Sequence, residues 1–94
     1  HWEQPAAQLW YWQDQQKREV DLLVDLNGFL YPIECKWKEI PDIQDTRGIR
    51  AVTDFYGPKR LGKAYIACLS KQSFILGETN VMARNGWTTW ELGI

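Results

Sequence analysis

Asp21 on one predicted strand and Glu34-Cys35-Lys36 on the next bring together two carboxylates and a lysine. Carboxylates that face each other across a hairpin repel, the more so when desolvated, and call for compensation. Lys36, two residues along the same face, supplies one positive charge. A divalent cation between the carboxylates supplies more, and Mg²⁺ (or Mn²⁺) is the hard ion that one or two carboxylates hold together with water and phosphate oxygens. That combination is suited to phosphodiester hydrolysis. The metal polarises the phosphoryl oxygen and lowers the pKa of a bound water, while a lysine orients the water or offsets developing negative charge. Glu-X-Lys on an exposed strand also arises by chance. The signal lies in its conjunction with Asp21, a glycine turn and a following helix.

The pairing of these residues follows from the turn. Glu19 to Leu26 alternates in polarity, Asn27-Gly28 is a strong hairpin signal, and the return strand is predicted from Phe29 to about Lys38. A two-residue loop sets Leu26 opposite Phe29, and so Leu22 opposite Ile33, Asp21 opposite Glu34, Val20 opposite Cys35 and Glu19 opposite Lys36. A four-residue loop closed by Asp25 and Leu30 keeps this register, and a three-residue loop breaks it. Pro32 falls on a non-hydrogen-bonded position, where its missing N–H removes nothing from the hairpin. One face is then apolar, with Val20, Leu22, Val24, Tyr31, Ile33 and Cys35, and is expected to receive a helix. The Cys35 thiol should be buried and inert there. The other face gathers Asp21, Glu34 and Lys36, with Glu19 as a candidate support.

Other elements frame the hairpin. Gln8 to Gln13 is aromatic enough for a strand, and Asp14 to Lys17 is a polar turn. Pro41-Asp42 breaks the return strand, and Asp42 or Asp45 can cap a helix that carries Ile49, Val52, Phe55 and Tyr56 and stops at Gly57-Pro58. Gly48 within it costs about 1 kcal/mol relative to alanine, so it needs a close-packing reason or a later helix start. Lys63 to Leu69 reads as a buried strand, and Phe74 to Leu76 and Thr88 to Leu92 are the best later strand candidates. The expected class is α/β, a mixed sheet built on a β-hairpin meander with a flanking helix.

Composition sets the bounds. The 94 residues carry a net charge of −1, with 45% hydrophobic and 24% charged residues, which fits one globular domain over residues 1–94. Near-neutrality excludes a uniformly basic nucleic-acid clamp, so any polyanion must meet a local patch or a bound metal. No apolar run is long enough for a membrane span, and the first residues show no signal-peptide pattern. Cys35 and Cys68 are too few and too isolated for a disulfide framework or zinc site, and a cytoplasmic location is the simplest expectation.

Asp21 followed by Glu34-Cys35-Lys36 resembles the PD-(D/E)XK nuclease superfamily. Leu9-Trp10-Tyr11-Trp12-Gln13-Asp14, Arg18-Glu19-Val20-Asp21 and Pro32-Ile33-Glu34-Cys35-Lys36-Trp37, with Asp45 to Arg50 beyond, look like the C-terminal domain of unknown function of many bacterial and archaeal AAA+ ATPases. The resemblance is best from Leu9 to Phe55. It implies a restriction-endonuclease-like core, Asp21 and Glu34 as metal ligands, the Cys35 carbonyl as a further ligand and Lys36 as the catalytic lysine. It also implies Mg²⁺ or Mn²⁺, a nucleic-acid partner and an upstream ATPase module. Val20 stands where the motif has proline. The acidic residue usual on a helix before the first strand is not found, and Glu3 is a poor substitute, so a fragment of a longer chain is expected. An inactive module that serves oligomerisation or docking is the alternative.

Lys59, Arg60, Lys63 and Lys71 fall in a segment from Gly57 to Gly77 without an acid. Lys59, Arg60 and Lys63 are candidate phosphate contacts, although lysines also protect sheet edges. Trp10, Trp12 and Trp37 are expected to pack in the core. Trp87 and Trp90 could cover the sheet or meet a partner.

Overall fold

The computed structural model describes residues 7–77 and 79–86, and six strands and one α-helix lie among them. β1 (Gln8–Gln13), β2 (Glu19–Leu26) and β3 (Phe29–Cys35) form an antiparallel meander, followed by α1 (Arg47–Tyr56), β4 (Ala64–Cys68), β5 (Phe74–Ile75) and β6 (Val81–Asn85). They make one mixed sheet in the order β1-β2-β3-β4-β6-β5, with β4 parallel to β3 and β6 parallel to β4. A parallel pair needs a crossover, and α1 lies in the one between β3 and β4. The α/β class expected from the alternation is present. None of the helices described is long and apolar enough to cross a membrane.

Asn27 (φ 55°) and Gly28 (φ 85°) are both left-handed, as a two-residue type I′ loop requires. Leu26 pairs with Phe29, and the ladder runs without a slip to Leu22–Ile33, where it ends. The register expected from the turn therefore holds over these pairs.

The β1–β2 side is irregular. Trp10 pairs with Leu23 but Trp12 pairs with Val20, so Asp21 and Leu22 together face Tyr11. Such a bulge shifts the alternation by one residue and brings Val20 and Leu23 to the same face. Both are fully buried, and with Leu30 they pack under Ile49 and Val52 of α1. This corrects the expected face. The helix covers Val20, Leu23 and Leu30, while Leu22 and Ile33 are half-buried and Cys35 is exposed. The core continues through Ile66, Val81 and Ala83. Trp12 is buried and meets Phe55 edge to face at 6.0 Å.

β3 ends at Cys35, short of Lys38. The chain stays beside β4 through Lys36 N–H to the Ala67 carbonyl and Leu69 N–H to the Lys38 carbonyl, both at 2.9 Å, but bends towards the helix. Trp37 lies on this bend and is 81% exposed, so it is not a core residue. Asp42 and Asp45 act together. Asp42 caps a 3-10 turn over Ile43–Thr46 by accepting from Gln44 N–H, and Asp45 accepts from Asp42 N–H. α1 continues from that turn and stops at Gly57, whose φ of 91° is open to glycine. β6 was not among the expected strands. Thr88 to Leu92, Trp87, Trp90 and Glu3 lie outside the described residues.

Candidate functional site

The hairpin and its bulge bring Asp21 and Glu34 together. Asp21 sits on the bulge, where its Oδ2 accepts Cys35 N–H at 2.9 Å. Glu34 follows Ile33, the last β3 residue of the β2–β3 ladder, and is only 5% exposed. It lies beneath the start of α1, where a Cβ on Gly48 would stand 3.2 Å from Glu34 Oε2. The bulge turns Val20 onto this helix-covered face, where alternation along β3 already places Glu34 with Leu30 and Pro32.

The two carboxyls titrate apart. Burial pushes the Glu34 pKa up to about 8, and its hydrogen bond with Asp21 and that neighbour's charge add to the rise. The Glu34 hydrogen bond holds Asp21 below the usual carboxylate range, with Cys35 N–H and the Lys36 charge in support. These opposite shifts favour a Glu34 carboxyl that retains its proton and donates a hydrogen bond to ionised Asp21. One shared proton is the familiar outcome for two close carboxyls.

The Cys35 carbonyl belongs to the same peptide as Lys36 N–H, which donates to β4. Planarity of a trans peptide aims the carbonyl the opposite way, away from β4 and towards the β2 side. The Cys35 thiol is exposed rather than buried, because the helix covers the other face. Partial burial and the charges of Asp21 and Glu34 push its pKa up, which keeps it a poor nucleophile at neutral pH.

A polar cleft of about 320 Å³ opens beside the pair. Glu19, Glu34 and Lys36 line it, with Gln16, Lys17 and Arg18 from the β1–β2 turn and Gln44, Asp45, Arg47 and Gly48 from the start of the helix. Glu19 and Lys36, expected as cross-strand partners, are thus neighbours in the cleft. Tyr11 donates its hydroxyl to Glu19 Oε2, and that bond first among several causes raises the Tyr11 pKa to about 12. Tyr11 therefore remains a donor that holds Glu19 in place. Sequence reasoning counted Tyr11 only as a strand aromatic, and its position against the bulge is what gives it this contact.

Lys59, Arg60 and Lys63 are placed elsewhere. Lys59 and Arg60 belong to a 3-10 turn over Pro58–Arg60, with the Arg60 guanidinium 5.9 Å from the Tyr56 ring centre. Leu61 bridges to Leu30, near the hairpin turn and about 13 Å along β3 from Glu34 at ~3.3 Å per residue. These cations stand towards the opposite end of the hairpin from the carboxyl pair.

To a cation, the chain offers two carboxyl groups in contact and, on the β2 side of β3, the Cys35 carbonyl. Among the described residues no group of three or more His, Cys, Asp or Glu side chains could hold a metal ion. Any remaining coordination would fall to water and phosphate oxygens, as Mg²⁺ ordinarily prefers.

A family model described as a domain of unknown function (DUF4143) matches residues 1–85. No curated protein and no solved structure matches the chain.

Proposed function

The chain belongs to the DUF4143 family of domains of unknown function, and from the site within its matched residues we propose a metal-dependent nuclease-like domain. It would hydrolyse phosphodiester bonds of nucleic acid and serve an AAA+ ATPase module of the full-length protein in the cytoplasm. The ATPase and restriction-endonuclease-like parts of this reading rest on the resemblance in Leu9 to Phe55. The observation that carries the chemistry is the contact of Asp21 with the buried Glu34, with Lys36 beside the pair.

These residues fit Mg²⁺ or Mn²⁺ because a cation between them would replace the shared proton and remove the repulsion. When bound, the ion would supply Lewis-acid polarisation of a phosphoryl oxygen and a water of lowered pKa. Asp21 and Glu34 would hold it, and the Cys35 carbonyl would add a neutral ligand. Glu34 would give up its proton on loading. Lys36 would orient the attacking water or offset charge on the phosphate, and Glu19, fixed by Tyr11, would support the cleft wall.

Calorimetric titration of Mn²⁺ into the protein tests the metal site directly. Binding should be lost in Asp21→Asn with the far-UV circular dichroism unchanged. Lys36→Ala should keep the metal and slow oligonucleotide cleavage by about 100-fold or more. No heat of binding in the unaltered protein would sink the reading.

A second reading, an inactive module for docking or self-association, draws on β1. Among the described residues that strand lies at the sheet edge, with Leu9 59% and Tyr11 53% exposed, and an aromatic, uncharged edge is a ready pairing surface. A concentration-independent monomer by light scattering counts against a homo-oligomer.

A further inference from the structure

We propose that the cleft beside the carboxyl pair is a phosphate-binding groove for a nucleic-acid strand, in which Lys17 and Arg47 grip backbone phosphates flanking the one at Lys36. The inference rests on the nuclease-like reading of the same site and assigns the strand contacts to residues remote from Lys59, Arg60 and Lys63.

Four cations line the cleft: Lys17, Arg18, Lys36 and Arg47. Two are already committed. Arg18 Nε binds Asp14 Oδ2 at 2.7 Å, and Lys36 serves the charge of the carboxyl pair. Lys17 and Arg47 are exposed, and neither forms an ion pair among the described residues. The acids that could neutralise them are occupied. Asp45 binds Lys38 Nζ at 2.8 Å and caps Asp42 N–H, Glu19 takes the Tyr11 hydroxyl, and Glu34 is buried against Asp21.

The turn that presents Lys17 is locked. Asp14 Oδ1 accepts both Gln16 N–H and Arg18 N–H at 2.9 Å, and Lys17 N–H donates to the Asp14 carbonyl at 3.1 Å. Lys17 itself is left-handed, with φ 63°, at a cost of roughly 1–2 kcal/mol for a side chain with a Cβ. A glycine would relieve it, yet the position carries a long cation that lines the cleft. Strain held at a cleft rim points to use. Arg47, the first residue of α1, lines the same cleft, and Gln16 and Gln44 add neutral groups to its lining. Arginine suits bidentate phosphate contact and lysine a point-charge contact.

Anisotropy of a fluorescein-labelled oligonucleotide, read in EDTA, tests the groove without metal or cleavage. Lys17→Gln with Arg47→Gln should weaken binding at least ten-fold at low salt. The slope of the salt dependence should flatten by about 0.7–0.9 for each phosphate no longer gripped. Lys17→Arg with Arg47→Lys should retain binding, and Lys59→Gln with Arg60→Gln should leave it unchanged. Inorganic phosphate at millimolar concentration should compete far less well than unlabelled strand; equal competition would make this a site for free phosphate and overturn the strand assignment. Unchanged affinity in the Lys17/Arg47 variant, or no binding by the unaltered protein, overturns the proposal. If the proposal falls in this way while Mn²⁺ still binds, the metal reading stands alone. If Mn²⁺ does not bind but the variant weakens strand binding, the groove stands and hydrolysis falls.

Discussion

The Glu19 carbonyl oxygen lies so close to Gly48 that a Cβ built on that glycine would sit 1.8 Å from it. Backbone meets backbone there, and only a residue without a side chain lets the helix start against β2. Gly48→Ala should therefore destabilise the fold by about 2–3 kcal/mol, although alanine favours a helix by about 1 kcal/mol. Urea unfolding of the variant measures this, and an unchanged midpoint would show that the helix can shift at no cost.

Stability should fall as pH rises from about 4.5 to beyond 8, by the linkage of Glu34. Its folded pKa, about 8, lies above its usual 4.5, so in that window the folded state binds a proton that the unfolded state does not. The contribution is full below 4.5 and is lost as pH climbs through the folded value. Asp21 works in the opposite sense: its folded pKa is lowered from 3.8, so its contribution is present above 3.8 and lost as pH falls through the folded value. Thermal melts in EDTA from pH 5 to 9 should show a declining Tm. The decline should be much reduced in Glu34→Gln, which keeps a neutral donor towards Asp21. A parallel decline in both proteins would place the effect elsewhere.

Asp14 accepts two backbone N–H groups and the Arg18 guanidinium. Asp14→Ala should cost about 1–2 kcal/mol and speed amide exchange at Gln16 and Arg18 before it affects β4. Uniform acceleration across the sheet would mean global destabilisation instead of a loosened turn.

The two-residue loop gives a cleaner local test. Gly28 has φ 85° and open space around its Cβ position, so Gly28→Ala meets only backbone strain, roughly 1 kcal/mol or slightly more. The Leu26–Phe29 register should survive, as cross-strand nuclear Overhauser contacts would show. A register slip would contradict the idea that the ladder, and not the turn alone, holds the hairpin.

The hairpin was legible because its information is local. Asn27-Gly28 sets the turn, and alternation in Leu22 to Leu26 fixes which residues meet. The meeting of Asp21 and Glu34 followed from that register, and Gly48 announced a close contact by being a glycine in a helix. What escaped is non-local. The bulge depends on how β1 lies along β2, with Tyr11 spanning Asp21 and Leu22, and nothing within β2 reveals it. The bulge brings Val20 beside Leu23 under the helix, whereas Glu34 shares its side of β3 with buried Leu30 and Pro32. Which side of the hairpin α1 covers is set by tertiary packing, so the face and the burial of Glu34 were misjudged together. β6 was missed for a related reason. Val81-Met82-Ala83-Arg84-Asn85 has weak alternation of its own and becomes a strand because β4 recruits it, burying Ala83 completely.

The extra residue in β2 separates what the fold needs from what the carboxyl pair needs. Remove Leu22 alone, and the strand could run against β1 without interruption, with Val20 and Leu23 still directed to the helix by simple alternation. Asp21 would then take the Leu22 position, opposite Ile33, on the face away from Glu34. The sheet and its core could dispense with that residue; the meeting of the two acids could not. A one-residue deletion is thus a knockout of the site that leaves every acid in the sequence untouched.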